Sequence, residues 1–275
     1  MNVLTFDLEE WIVYTYYDKG GKDYFLPILD KNLSYLLDLL DTYNHKATFF
    51  CLGQLAKEYP DVVKRIFGRG HEIGCHSNIH HLITAMNPDS FFLDTQIALK
   101  RLEDVCGKKI NAYRAPAFSI TEQTKWAFEI LADLGITYDS SLFPASRSFG
   151  GFPTLSASQP FVINLKQKDL KEFPVNVKKI GSTCVAFSGG GYFRLVPYPF
   201  IKKWTSESPY TMTYFHIRDF DKEQKVVYSL RYFKSYYGIK RAFDKLKIYL
   251  SDFLFFTLEQ AGEIIDWESA PIVAF

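Results

Sequence analysis

The segment VLTFDLE, residues 3–9, joins a short run of apolar and β-prone residues to two carboxylates. Short apolar runs of this kind are typical of strands that are buried on both faces of a parallel sheet. We therefore predict a strand over residues 3–6. Because residues two apart in an extended chain project the same way, Asp7 and Glu9 should lie together where this strand ends.

Strand and helix patterns alternate along most of the remaining chain. Helices are indicated by leucines at helical spacing between residues 29 and 40, and by Asn87-Pro88, which opens a long helix that Gly107 ends. Further strands are predicted at residues 47–52, 72–75, 110–113, 136–138, 211–215 and 253–256. The alternation, with about seven strand candidates, predicts an α/β fold whose parallel sheet forms a closed or nearly closed barrel.

The stretch around residues 143–199 breaks this rhythm. It is rich in Gly, Pro and Ser and contains the run Gly189-Gly190-Gly191. We interpret it as a loop-rich insertion in one catalytic domain over residues 1–275, a length that suits a single α/β barrel.

The composition excludes several classes of function. Lys+Arg and Asp+Glu number 32 and 31, so a nucleic-acid partner is not expected. No apolar run reaches the ~20 residues of a membrane span, and the first residues lack the pattern of a signal peptide. The four cysteines show no CxxC spacing, which is typical of buried thiols in a reducing compartment. We expect a cytoplasmic protein; its oligomeric state stays open.

Histidines cluster after the predicted strand at residues 72–75. Three of the six in the chain fall within residues 76–81. On a helical turn His76 and His80 would share one face and could bind one ion, while His81 would point elsewhere. The alternative is a polar loop that happens to contain histidines.

Two further strand ends carry polar residues. Arg114 follows the predicted strand at residues 110–113 and could clamp a carboxylate with two hydrogen bonds, or form a surface salt bridge instead. His216 follows the strand at residues 211–215. A lone histidine there is commonly structural, but a hydrolytic site needs a proton donor.

One carboxylate and two histidines make a three-ligand site with a position left for water, as in catalytic zinc sites. A metal-bound water could attack an amide while Asp7 accepts its proton and His216 returns one to the amine. The same donors suit an iron(II) oxygenase, although the helical units argue against the folds such enzymes use. A glycan-binding protein without turnover, and a same-fold amidase or deformylase acting on another small amide, are further alternatives.

Four motifs together resemble those of the polysaccharide deacetylase family, also called the NodB-homology or carbohydrate esterase family four group. They are TFDLEEW at residues 5–11, HSNIH at 76–80, RAPAF at 114–118 and YFH at 214–216. The string GGGYFRL at residues 189–195 resembles a subgroup that begins TFDxExW. Members of this subgroup often serve the synthesis of surface glycans.

The resemblance implies a distorted (β/α) barrel related to TIM barrels, with about seven parallel strands, and a role for each matching residue. Asp7 resembles the general base, His76 and His80 the metal ligands, Arg114 the residue that orients the base, and His216 the general acid. It also implies a divalent ion, Zn²⁺ first and Co²⁺, Ni²⁺ or Mn²⁺ otherwise. The implied substrate is an N-acetylated amino sugar, free, lipid-linked or polymeric, of a surface glycan or its precursor.

The sequence departs from the family at two places that affect these roles. Leu8 stands where many members carry a second, metal-binding aspartate, so we assign Glu9 as the third ligand and keep Glu10 in reserve. The late motif is also altered, and Asp139 at the end of a strand is our candidate to orient His216.

Several residues near the predicted mouth are candidates for substrate contacts. The Ala117 N–H could stabilise an oxyanion. Arg194 could meet an acidic sugar or a phosphate, with a structural ion pair as the alternative. Aromatic residues that could stack on a sugar ring are Trp11, Phe118, Tyr192 and Phe193.

Overall fold

The computed structural model describes residues 1–9, 22–166, 168–181, 183–223 and 237–275. Its strands are β1 (Asn2–Val3), β2 (Thr5–Leu8), β3 (Thr48–Cys51), β4 (Glu72–Cys75), β5 (Ala112–Tyr113), β6 (Tyr138–Asp139), β7 (Phe161–Asn164), β8 (Leu170–Glu172), β9 (Lys178–Ile180), β10 (Thr183–Val185), β11 (Thr211–Met212), β12 (Phe215–His216) and β13 (Ile272–Ala274).

Nine strands form one sheet in the order β12-β2-β3-β4-β5-β6-β8-β7-β13. Each neighbouring pair from β12 to β8 is parallel. Beyond β8, β7 runs antiparallel to it and β13 runs parallel to β7. The predicted α/β class with a mostly parallel sheet is confirmed.

Helices cover the connections between the strands. They are α1 (Lys22–Thr42), α2 (Gly53–Glu58), α3 (Pro60–Gly68), α4 (Pro88–Cys106), α5 (Trp126–Asp133), α6 (Gly190–Leu195), α7 (Tyr198–Glu207), α8 (Ala242–Asp252) and α9 (Leu258–Ile264). The predicted ends of α4 are confirmed: Asn87 and Ser90 form a capping box, and Gly107 ends the helix at φ +68°. Within the described ranges, no helix is both long and apolar enough to cross a bilayer.

The predicted strand at residues 253–256 is wrong. Only Phe256 makes a bridge, to Val3, and the seventh parallel strand is β8 instead. Its sequence, Leu-Lys-Glu, gives no apolar run, so the usual signal of a buried strand is missing. The stretch 143–199 therefore contains sheet strands as well as loops, while the single-domain boundaries stay a prediction.

The side-chain amide of Asn176, shortly after β8, hydrogen-bonds to the backbone at β11. Asn176 donates from Nδ2 to the Tyr210 carbonyl at 3.0 Å, and its Oδ1 accepts from the Met212 N–H at 3.0 Å. Asn176 thus satisfies backbone groups of β11 in the way a neighbouring strand would.

The core on either side of the sheet is strongly aromatic. Phe6 stacks on Phe49 with ring centroids 5.1 Å apart, and Phe193 packs on Phe215 at 4.9 Å. Cys51, Cys75 and Cys106 are buried free thiols, as expected, whereas Cys184 is half-buried. Burial of both faces fixes the positions of the strand ends that carry the polar motifs.

Candidate active site

The sheet order brings the four polar motifs to one edge of the barrel. β12 and β2 are neighbours, as are β4 and β5, and only β3 separates the two pairs. Since these strands are parallel, their carboxyl ends meet at the same face. Residues far apart in sequence are therefore placed within contact distance of one another.

Glu9, His76 and His80 converge as a potential metal site. Glu9 Oε2 lies 3.3 Å from His76 Nε2 and 2.5 Å from His80 Nε2. One donor atom from each residue lies within 4.8 Å of the other two. Two imidazoles and a carboxylate are a donor set suited to zinc and other first-row divalent ions.

A carbonyl of the next motif orients the first histidine. His76 Nδ1 lies 2.8 Å from the Arg114 carbonyl oxygen, which can only accept. Nδ1 therefore carries the proton, and Nε2 presents its lone pair to the site. His80 Nε2 is buried without a hydrogen-bond partner among the described residues, although Glu9 Oε2 is close to it. A cation between these atoms would satisfy both.

The predicted helical turn over His76–His80 is wrong. The segment is a loop in which Ser77 and His80 have φ of +68° and +63°, values outside the right-handed helical region. The two histidines converge because the loop bends back on itself, and the Ser77 hydroxyl accepts from the His80 N–H at 2.9 Å. His81 is exposed, as expected.

Neighbouring helices hold this loop in place. The first N–H groups of α2, those of Gly53 and Gln54, donate to the carbonyls of Ser77 and Asn78 at 3.0 and 2.9 Å. The Asn78 N–H donates to Asp94 of α4 at 2.9 Å. Backbone strain of this kind persists when surrounding contacts over-determine it, and it is common at functional sites.

Asp7 is bound to a fully buried arginine. Arg114 Nη1 donates to Asp7 Oδ1 and to Thr5 Oγ1, both at 2.8 Å, and Nη2 donates to Ser140 Oγ at 2.9 Å. The predicted two-bond clamp is thus a single bond to Asp7, and the surface salt bridge is excluded because Arg114 is 0% exposed. The Phe50 ring lies 4.2 Å below the guanidinium and further limits its movement.

His216 lies beside both carboxylates. Its Nε2 is 3.2 Å from Glu9 Oε1 and 4.0 Å from Asp7 Oδ2. On its other side, Nδ1 and the backbone N–H both face Asp219 Oδ2, at 3.3 and 2.9 Å. Burial opposes protonation of His216, but Glu9 and Asp219 outweigh it and raise the pKa to about 10.

Asp139 as the residue that orients His216 is a wrong prediction. Asp139 lies on β6, four strands from β2, whereas His216 lies on β12, on the opposite side of β2. Asp219 contacts His216 Nδ1 instead. Asp219 follows His216 by three residues in a turn, a spacing at which side chains can contact. That spacing could have identified it.

Asp139 instead faces a second buried carboxyl group. It pairs in register with Glu172 of β8, and both are 0% exposed. Asp139 accepts from Ser141 at 2.6 Å, and Glu172 accepts from the Leu142 N–H at 3.0 Å. Burial, reinforced by the neighbouring Asp139, raises the pKa of Glu172 well above its usual range.

Arg218 is a site residue that our sequence analysis missed. Its Nη2 lies 3.1 Å from Glu9 Oε1, the same oxygen that faces His216. Burial opposes ionisation of Glu9, yet the charges of His80 and His216 bring its pKa well below the usual range. Glu9 is therefore held as a carboxylate in a buried, positively charged environment.

The residues predicted to contact the substrate differ in how far they are buried. Arg194 is 6% exposed and paired with Asp219, so the structural ion pair is correct and the substrate contact is wrong. Phe118 and Phe193 are buried in apolar clusters, so neither offers an open ring for a sugar. Tyr192 and Ala117 are half-buried, and Trp11 lies outside the described residues. Ala117 has φ +53° on the loop that follows Arg114.

A mostly parallel α/β barrel with a carboxylate–histidine cluster at the carboxyl ends of its strands defines a class, α/β-barrel proteins whose polar site lies where enzymes of this architecture carry their active sites. Residues 5–138 match the family model described as polysaccharide deacetylase, and residues 140–263 match one described as a domain of unknown function (DUF3473). The first half of the chain is therefore similar to the polysaccharide deacetylase family.

Curated relatives are similar over part of their length. A peptidoglycan-N-acetylglucosamine deacetylase of Bacillus cereus is 41% identical over 98 residues, 34% of this chain and 34% of that protein. The peptidoglycan-N-acetylmuramic acid deacetylase PdaA of Bacillus subtilis is 28% identical over 108 residues, 39% of this chain and 38% of that protein. The chain thus matches somewhat over a third of the length of these relatives.

Solved structures extend the likeness of fold to the whole chain. A putative polysaccharide deacetylase from Mycobacterium smegmatis superposes with a TM-score of 0.70 at 18% identity, over 100% of this chain and 92% of that one. A family 4 carbohydrate esterase from Streptomyces lividans, in complex with acetate, gives a TM-score of 0.50 at 14% identity, over 99% and 95% of the two chains.

Proposed function

We propose that this protein is a metal-dependent hydrolase that removes the N-acetyl group from an amino sugar of a surface glycan or its precursor. The observation that carries the proposal is the convergence of Glu9, His76 and His80 beside Asp7 and His216. The curated relatives that are named as deacetylases of peptidoglycan sugars support the choice of substrate class.

Glu9, His76 and His80 would hold the ion, with Zn²⁺ proposed first and Co²⁺, Ni²⁺ or Mn²⁺ as alternatives. When bound, such an ion polarises the amide carbonyl and makes water a better nucleophile at neutral pH. Two features of the site suit such an ion. The Arg114 carbonyl fixes the tautomer of His76, and the surroundings of Glu9 keep it ionised.

Asp7 acts as the general base in this proposal. Its Oδ1 is bound by Arg114 and its Oδ2 faces His216 at 4.0 Å, so the carboxylate is held at the mouth in one orientation. It takes a proton from the water that attacks the amide carbonyl. Arg114 touches no substrate in this scheme and serves as a positioning residue.

His216 acts as the general acid. Asp219 binds its Nδ1, so Nε2 is the atom that gives a proton to the leaving amine. Arg194 pairs with Asp219 from the other side and fixes that carboxylate. Helix α6, which carries GGGYFRL, therefore supports the acid through Asp219 and does not contact the sugar through Arg194.

Further substrate contacts are part of the proposal. The Ala117 N–H, on the strained loop after Arg114, would stabilise the oxyanion, and Tyr192 would contact the sugar ring. Trp11, which lies outside the described residues, stays a prediction of the sequence. A cytoplasmic location and a free, lipid-linked or polymeric substrate stay predictions.

Chelation and reloading test the proposal. Removing the ion should abolish acetate release from N-acetylglucosamine oligosaccharides, and Zn²⁺ should restore it. Glu9→Ala should weaken metal binding, measured by calorimetry, by more than about 100-fold, beyond the usual cost of losing an outer-shell contact. Glu10→Ala is the matched control. Full activity of metal-free protein would refute the proposal, and a larger effect of Glu10→Ala would show that the wrong carboxylate was assigned.

A further inference from the structure

The turn at residues 143–152 is fastened to the loop that carries Arg114. The Gly151 N–H donates to the Phe118 carbonyl at 2.9 Å, and the Arg147 N–H donates to the Gly150 carbonyl at 3.1 Å. A Cβ on Gly150 would lie 2.2 Å from the Phe118 carbonyl oxygen, so only glycine permits this approach. The turn therefore has a defined position next to the site.

Arg147 projects from this turn onto an aromatic platform. Its guanidinium carbon lies 4.3 Å from the Phe143 ring centroid and 6.0 Å from that of Phe118. The Phe143 ring in turn packs against Tyr214, two residues before His216, with ring centroids 6.4 Å apart. Stacking restricts the Arg147 side chain before any ligand arrives.

The same Phe118 ring links Arg147 to Arg114, the arginine that positions Asp7. The Arg114 guanidinium carbon is 5.7 Å from the centroid of that ring, against 6.0 Å for Arg147. Arg114 is fully buried, whereas Arg147 is exposed to solvent. Arg147 is thus a solvent-exposed neighbour of an aromatic ring that Arg114 also contacts.

The charge of Arg147 sets it apart from the other arginines of the site. Arg114 pairs with Asp7, Arg194 with Asp219 and Arg218 with Glu9. No carboxylate of the described residues forms an ion pair with Arg147. A planar guanidinium that is oriented, exposed and not neutralised is well suited to bidentate binding of a carboxylate or phosphate.

We propose that Arg147 binds an anionic oxygen group, a carboxylate or a phosphate, carried by the glycan beside the amino sugar that is deacetylated. This inference rests on the proposed function and deepens it by naming an acidic substrate class. Contact with an acidic sugar or a phosphate, which the sequence suggested for Arg194, is therefore assigned to Arg147 in the turn at residues 143–152. Phe149, 52% exposed at the tip of this turn, adds an apolar surface for a sugar ring.

Binding to metal-loaded protein with the Asp7→Asn change, which blocks turnover, tests the inference. The probes are a hexasaccharide of alternating N-acetylglucosamine and glucuronic acid, neutral chitohexaose, and N-acetylglucosamine 1-phosphate with unmodified N-acetylglucosamine as its reference. We expect at least one anionic probe to bind about tenfold more tightly than its neutral counterpart, and the probe that does so identifies carboxylate or phosphate. The gain should shrink with added salt.

Variants of Arg147 assign the effect. Arg147→Met keeps the apolar stem and should remove the tenfold preference while leaving the affinity for chitohexaose within twofold. Arg147→Lys should retain part of the preference for the anionic probe. Lys100→Met, which removes an exposed charge on α4, should leave that preference unchanged. Equal or undetectable binding of anionic and neutral probes, or a preference that survives Arg147→Met, overturns the inference. Acetate release from chitohexaose by the unmodified protein tests the deacetylase proposal separately.

Discussion

The two ends of the parallel sheet each bury a glutamate, with opposite results. Glu9 follows β2 at the carboxyl end and is 4% exposed, and Glu72 begins β4 at the amino end and is 6% exposed. Burial disfavours ionisation at both. The pKa of Glu9 is nevertheless held well below its usual range, whereas burial raises that of Glu72 to about 7.

The partners explain the difference. Glu9 is surrounded by His76, His80, His216 and Arg218, all groups that can carry positive charge. Glu72 Oε2 accepts only neutral donors, the Thr48 hydroxyl at 2.6 Å and the Glu259 N–H at 3.0 Å. At the carboxyl end, the neighbouring groups therefore stabilise the buried Glu9 carboxylate. At the amino end, the hydrogen bonds of Glu72 join β3, β4 and α9.

The largest effect is expected from a change to Asp7, the proposed general base at the carboxyl end of the sheet. Asp7→Asn keeps the shape of the side chain and an oxygen for Arg114 but cannot accept a proton. We expect kcat to fall about 10³-fold, as for loss of a general base, while the protein still binds one equivalent of metal. Steady-state kinetics and metal analysis measure the two quantities. An unchanged kcat would remove Asp7 from the mechanism.

The second effect tests the neutral end through the pH dependence of stability. The folded-state pKa of Glu72, about 7, lies above its ordinary value of 4.5. The folded protein therefore binds this proton more tightly than the unfolded chain. The stabilisation is fully present below pH 4.5 and is lost as pH rises through 7. Between pH 5 and 8 the loss amounts to about 2.5 kcal/mol.

Glu72→Gln should remove this share of the pH dependence. Denaturant unfolding at several pH values should show the variant gaining about 2.5 kcal/mol relative to the unmodified protein between pH 5 and 8. Glu259→Gln, at the more exposed start of α9, should leave the pH dependence nearly as it is. A constant difference between Glu72→Gln and the unmodified protein at every pH would mean that Glu72 is ionised in the fold.

Most of the charged end follows from local sequence patterns. The strand before Asp7, the alternation up to β6 and the clustering of His76 and His80 all arise from short stretches, and the parallel sheet then brings their ends together. The assignment of Glu9 over an adjacent residue rested on side-chain alternation, and its contacts with both histidines agree with it.

What was missed depends on contacts between distant segments. β8 reads as Leu-Lys-Glu, and its place in the sheet is set by backbone pairing with β6 on one side and β7 on the other. Burial of Arg194 against Asp219 could not be read from a loop rich in glycine. Arg147 carried no motif, and its place depends on the approach of Gly150 to the Phe118 carbonyl. Such features require tertiary structure, because no local propensity specifies them.

The smallest expected effect separates the two carboxylates that touch His216. Asp219 lies against Nδ1 and, in the proposed mechanism, leaves Nε2 to face the substrate, whereas Glu9 is the proposed metal ligand, so their losses should differ in kind. Asp219→Asn should lower kcat about tenfold with little change in KM or metal affinity, the usual size of an outer-shell effect. Asp139→Asn, the residue suggested by sequence alone, should leave the kcat of folded protein within about twofold, because Asp139 contacts Ser141 and Glu172 instead. If Asp139→Asn lowers kcat more than Asp219→Asn, the acid is oriented from β6 after all, and the assignment of Asp219 fails.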